Sequence, residues 1–200
     1  MVSSHGIGVR TMDIDDRLIL KNKYSRPGNK NLGVRGLVVH WTGVPGQNAE
    51  TVRRYFEKYA PAEKKYVSAH YAIDFDGSIL QMIPDREVAY HVSYKDTPLE
   101  ILHTHGYPND CMIGIECCII NEQGEMTDQT KYALLWLLSV KALEYNLFAK
   151  DLFRHYDLTV KRKDCHRWYV NNPDEWDRLK SYVMMSKRFM TNLEEGKIFT

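Results

Sequence analysis

The stretch from Thr127 to Tyr145 constrains this chain most. Thr127 can cap a helix, and Leu134, Leu135, Leu137, Leu138 and Val140 then fall on most sides of it. A helix with apolar side chains on most faces cannot rest on a surface, so it must be covered from more than one direction. Two short apolar runs supply candidate cover. Gly36-Leu37-Val38-Val39-His40-Trp41 and Ile113 to Ile120 are rich in β-branched residues and end in turn formers, which marks buried strands.

The rest of the chain fills in around these elements. Asn48 can cap a helix with Val52, Tyr55, Phe56 and Tyr59 at helical spacing, and Pro61 should close it. Ala69–Phe75 and Ser78–Ile83, joined by Asp76-Gly77, read as a hairpin. Residues 92–112, with Pro98, Gly106 and Pro108, read as a long loop of the kind that often carries function. Phe153–Leu158 reads as a short strand or extended segment. Asn172 should cap a last helix, with Pro173 at its first position and Asp174 and Glu175 in its first turn. The expected fold is α/β: a single domain with a central mixed β-sheet flanked by helices on both faces. Residues 1–35 are expected to form an irregular N-terminal arm packed on the domain, 36–190 the main domain and 191–200 a C-terminal tail.

Charge excludes some partners. The 27 Lys and Arg nearly cancel the 26 Asp and Glu, leaving a formal net charge of +1. Nucleic-acid binders usually carry a basic excess, so no nucleic-acid partner is expected. Residues 17–35, with six basic side chains, and Lys161-Arg162-Lys163 are local exceptions, read as solvated faces or attraction to an anionic polymer. No apolar run approaches the ~20 residues of a membrane span, so no membrane insertion is expected. The four cysteines do not make a disulfide scaffold. The first twenty residues lack the apolar core of a secretory signal.

Eight histidines stand in the chain. His40 ends a strand-like run, and His155 lies in Phe153-Arg154-His155-Tyr156, ten residues before Cys165. An isolated histidine in such a place often only packs. Two imidazoles and a thiolate brought together from strand ends would instead leave zinc an open fourth position. No Cys-x-x-Cys or His-Glu-x-x-His pattern reinforces that reading.

Five short motifs occur in order: Val39-His40-Trp41-Thr42; Ala69-His70-Tyr71 with Asp76-Gly77; Ala89-Tyr90-His91; Ile113-Gly114-Ile115-Glu116-Cys117; and His155-Tyr156-Asp157-Leu158-Thr159. Together they resemble the type-2 N-acetylmuramoyl-L-alanine amidases, the family of phage endolysins, bacterial autolysins and peptidoglycan recognition proteins. Asn22 to Gly28 resembles the lead-in of the Bacillus-type phage and prophage branch. The resemblance implies a Zn2+-dependent enzyme that cuts the amide between N-acetylmuramic acid and L-alanine. It implies His40, His155 and Cys165 as metal ligands, Glu116 as acid/base partner and Lys163 as oxyanion stabiliser. His91 matches a groove-lining histidine; His70 and Trp41 are further candidates for substrate contact. Peptidoglycan is the implied partner, with the chain acting as a monomer. A lysin without a signal peptide would accumulate in the host bacterial cytoplasm until released.

The sequence departs from the family pattern in three places. The lysine and cysteine follow the second histidine by eight and ten positions instead of six and eight, so Lys161 competes with Lys163. His166 replaces the proline that commonly follows the cysteine, which makes it a rival ligand. Ala69 stands where some branches place a tyrosine, and more weight falls on Glu116. Two other functions compete with the amidase. One is a non-catalytic peptidoglycan-binding module of the same fold, disfavoured by the retained Cys165. The other is a zinc hydrolase acting on a different amide.

Overall fold

The computed structural model describes residues 12–196, so residues 1–11 of the expected arm and 197–200 of the expected tail lie outside the described residues. The strands are β1 (Ile14–Asp16), β2 (Gly36–Trp41), β3 (Tyr71–Ile73), β4 (Ile79–Gln81), β5 (Met112–Cys117) and β6 (Leu152–Arg154). The α-helices are α1 (Ala49–Arg54), α2 (Ala60–Ala62), α3 (Leu99–Thr104), α4 (Pro108–Cys111), α5 (Asp128–Glu144), α6 (Arg167–Asn171) and α7 (Pro173–Glu194). The strands form one sheet in the order β1-β4-β3-β5-β2-β6. Only β3 and β4 pair antiparallel, so the sheet is mixed.

Alternation along the strands divides the core. Leu37 and Val39 on β2, with Ile113, Ile115 and Cys117 on β5, pack beneath Leu134, Leu137 and Leu138 of α5 and Leu179 and Val183 of α7. The apolar α5 is thus covered by the sheet on one side and α7 on the other. The opposite face carries Val38 and Met112, and, farther along the sheet, Ala72 and Leu80 beneath Val52 and Phe56. Helices therefore lie on both faces. The crossover from β2 to β3 runs one way along the sheet and that from β5 to β6 runs the other. Right-handed crossovers of opposite direction place their helices on opposite faces and leave a crevice between β2 and β5, at the carboxyl ends of the strands.

Several local readings change. The arm is less irregular than expected: β1 pairs parallel with β4, and Ile19 is fully buried. The helix closes one residue past Pro61, at Ala62, with the proline inside its last turn. After α1 the backbone widens into a π-turn at Tyr55–Tyr59, where the Ala60 N–H reaches back to the Tyr55 carbonyl. That wider turn accommodates a proline ring that a regular helix would press against the carbonyl four residues back. The loop at 92–112 contains a 3-10 turn at Tyr94–Asp96 as well as α3 and α4, and β5 already starts at Met112. The short strand or extended segment expected at 153–158 is strand only to Arg154, in β6, and then a 3-10 turn, His155–Leu158. Asn172 makes no side-chain cap bond and instead donates to the Trp168 carbonyl. α7 runs through residue 190, so helix continues into the segment read as tail. Asn48 and Thr127 do cap their helices, accepting from the Thr51 and Thr130 N–H groups.

Candidate active site

The carboxyl ends of β2, β5 and β6 deliver the site. His40 is the penultimate residue of β2 and lies in register with Glu116, the penultimate residue of β5. Alternation puts both on the face opposite α5. His155 directly follows the last residue of β6, and β6 pairs parallel with β2. Cys165 returns to His155 because the Tyr156 N–H donates to the Cys165 carbonyl. The two additional residues before it are absorbed by a turn in which the Arg162 N–H donates to the Thr159 carbonyl. Arg162 takes φ +51° there, and Val160 and Lys161 project outward.

Three donor atoms converge. His40 Nδ1 lies 3.0 Å from His155 Nδ1 and 3.8 Å from Cys165 Sγ. All three ligand atoms lie within 4.8 Å of one another, and all three residues are buried. Burial holds His40 well below the ordinary imidazole range, with His155 and His91 adding to the effect. Burial, then the Lys163 charge, pulls His155 down to about 3. Both rings are therefore neutral and offer lone pairs. Burial also pushes the Cys165 thiol up, so its thiolate needs a cation beside it. This nitrogen, nitrogen and sulfur set fits a metal ion of the zinc type.

Glu116 lies beside this group. Its Oε2 is buried without a hydrogen-bond partner, although the residue as a whole is partly exposed. Burial raises its carboxyl to about 8, against the opposing pull of Lys163. A buried carboxylate oxygen without a partner is available to a water or a substrate proton.

A cleft of about 760 Å³ reaches the site through His155 and Lys163, with His40, Glu116 and Cys165 behind its lining. Its walls include the rings of Tyr66, Tyr90 and Tyr94, the two histidines His91 and His155, and Lys161 and Lys163. The lysines differ. The Lys163 charge acts on Glu116, His40 and His155, whereas the 81 % exposed Lys161 side chain has Asp96 at 3.7 Å.

The other candidates separate. His91 lines the cleft and touches His40, with its Nδ1 3.1 Å from His40 Nε2. His70 is fully buried, its Nε2 on the Glu87 carbonyl and its Nδ1 accepting from the Gly114 N–H. It is not among the cleft-lining residues and abuts the cleft through His91. Trp41 is also outside the cleft lining, stacked under Arg167 at 4.6 Å and packed on the core. His166 is fully buried between Trp41 and Tyr169, with neither ring nitrogen bonded, and lies outside the three-donor group. Sequence reasoning missed Tyr66, Tyr94 and Asn109. Asn109 accepts from the His91 and Val92 N–H groups and donates to the Val92 carbonyl, which fixes the backbone at His91. Only the suspicion attached to a long loop pointed that way.

A sheet that gathers a His-His-Cys donor set beside an unpartnered carboxylate defines a protein with a group that could hold a metal ion. The chain belongs to the Amidase_2 family, described as N-acetylmuramoyl-L-alanine amidase, whose sequence pattern matches residues 29–168. It is 36% identical over 162 residues to a probable N-acetylmuramoyl-L-alanine amidase of Bacillus licheniformis, covering 81% of this chain and 44% of that protein. It is 31% identical over 176 residues to the N-acetylmuramoyl-L-alanine amidase BlyA of Bacillus subtilis, again covering 81% of this chain and 44% of that protein. The chain thus spans less than half the length of these relatives. Its fold is similar to that of a mutant endolysin from Bacillus subtilis, with a TM-score of 0.65 and 23% identity, covering 86% of this chain and 99% of the other. The structure of PlyL gives a TM-score of 0.65 at 19% identity, covering 88% of this chain and 98% of the other.

Proposed function

We propose that this chain hydrolyses the amide between N-acetylmuramic acid and the L-alanine of the peptidoglycan stem peptide, with zinc held by His40, His155 and Cys165. The observation that carries the reading is the convergence of those three buried donors beside Glu116. Family membership and the names of the Bacillus relatives support the choice of bond.

Zinc, when bound, supplies a Lewis acid that polarises a carbonyl and brings the pKa of water towards about 7. The protein's own groups do the rest. Glu116 Oε2 takes the proton of the attacking water, and the protonated carboxyl then gives it to the leaving L-alanine nitrogen. A carboxyl raised to about 8 is a stronger base than an ordinary one and, once protonated, still a competent acid. Lys163 presents a cation towards the oxygen that gains negative charge. The tyrosine walls of the cleft offer apolar faces to sugar and peptide. The same reading has the chain act on peptidoglycan as a monomer, without nucleic acid or membrane insertion, after accumulating in the host bacterial cytoplasm. Among the described residues, no helix is long and apolar enough to cross a membrane.

The test is digestion of purified cell walls with and without a chelator, followed by zinc addition. Free L-alanine amino groups should appear without new reducing sugar, stop on chelation and return with zinc. Reducing sugar would overturn the bond assignment. Chelator-insensitive release would overturn the metal. Binding without release would mark a non-catalytic module.

A further inference from the structure

The hydrogen bonds around His40 determine which of its nitrogens is bare. The chain of reasoning starts at Met112, whose backbone carbonyl can only accept. His91 Nε2 lies 3.3 Å from that oxygen, so Nε2 carries the proton. His91 is buried and its ring nitrogens meet the Met112 carbonyl and His40 with no carboxylate to offset a charge, so with one ring proton on Nε2 its Nδ1 is an acceptor. His40 Nε2 lies 3.1 Å from that Nδ1 and must therefore be the donor. With its ring proton on Nε2, the buried His40 keeps a lone pair on Nδ1, the atom aimed at His155 and Cys165.

We propose that His91 is a positioning residue of the metal site, which locks His40 in the Nε2–H tautomer so that Nδ1 is presented bare to the ion. The inference rests on the reading of His40, His155 and Cys165 as metal ligands. It also accounts for Gly114. A Cβ at that position would stand 2.6 Å from His91 Cγ and 2.9 Å from its Nδ1, inside the ring's own space. Glycine there leaves room for the imidazole, and the Gly114 N–H at the same time anchors His70, whose ring stacks edge-on against His91. A partner that fixes the tautomer of a ligating histidine raises its effectiveness as a ligand.

Two nearly isosteric variants separate hydrogen bonding from packing. His91→Asn places an acceptor where Nδ1 stood, and His91→Leu fills the same space without one. Zinc affinity is measured by competition with a chromophoric chelator, and ring 15N spectra of the metal-free protein report tautomers directly. His91→Leu should weaken zinc by about 10- to 100-fold, while His91→Asn should stay within about threefold of wild type. The wild-type spectrum should show His40 protonated at Nε2, and His91→Leu should give a mixture. Equal weakening by Asn and Leu, or a wild-type His40 protonated at Nδ1, would overturn the proposal. If His91→Leu fails to fold, the Asn variant and the wild-type spectrum still decide it. Failure of wild type to take up zinc would instead overturn the metal reading, with the tautomer still decided by the spectrum.

Discussion

Removing the charge of Glu116 should stabilise the protein, and by an amount that depends on pH. The carboxyl titrates at about 8 in the fold against an ordinary 4.5, because burial disfavours its charged form. Below pH 4.5 the group is protonated in folded and unfolded chains alike and costs nothing. Between 4.5 and about 8 the unfolded chain releases its proton while the folded chain retains it, so folding loses ground as pH rises. Above 8 the loss is complete. The full interval corresponds to roughly 5 kcal/mol. Partial solvent access to the residue brings the expectation to about 2–4 kcal/mol. Glu116→Gln keeps the shape and does not titrate. Urea unfolding of chelator-treated wild type and variant, from pH 5 to pH 9, isolates this group because other titrations cancel in the difference. The variant's advantage should grow by about 2–4 kcal/mol across that range, while its turnover of cell walls collapses. A difference flat to within about 0.5 kcal/mol would refute the claim that Glu116 is a desolvated carboxylate.

Three further outcomes follow from the geometry. Lys163→Ala should lower kcat on cell walls by about 10²- to 10³-fold, whereas Lys161→Ala should change it less than about threefold; the reverse pattern would hand the role to Lys161. Arg26 makes two hydrogen bonds to Glu87 and one to the Ile19 carbonyl, and both charged side chains are about nine-tenths buried. Arg26→Leu strands a buried carboxylate and should cost about 3–5 kcal/mol in urea unfolding at pH 7. Because Arg26 holds the Glu87 carboxyl below its ordinary range, that cost should shrink as pH falls through the Glu87 value, the reverse of the Glu116 case. Gly114→Ala should displace His91 and lose zinc affinity in a chelator competition by at least as much as His91→Leu.

The site was legible where chemistry is written in residue type and order. His40 stood at the end of one apolar run and Glu116 inside another, and both came out near strand ends facing the same crevice. What could not be read were the geometric choices. Nothing in the spacing told Lys161 from Lys163, since a two-residue insertion can bulge outward or inward. The turn closed by Thr159 and Arg162 throws Val160 and Lys161 outward and leaves Lys163 as the cation whose charge reaches Glu116. The rival His166 sits beside Cys165 in sequence, yet its ring is wedged between Trp41 and Tyr169. Helix ends set by capping side chains, such as Asn48 and Thr127, were legible. The π-turn at Tyr55–Tyr59 was not, although the helix stops one residue past Pro61. His91 looked like a groove residue; its contact with His40 depends on packing against Gly114, which only the assembled sheet provides.

The order in which the chain supplies its donors has a consequence for assembly. His40 and Cys165 are separated by 125 positions, and every strand from β3 to β6 lies between them. An ion held by both would act as a clasp, drawing shut a loop that contains most of the domain. Closing so long a loop removes much of the freedom of the unfolded chain. Only a nascent chain that has already emerged beyond its last strand could fasten it, so the metal would serve as a completeness check before the cleft becomes competent.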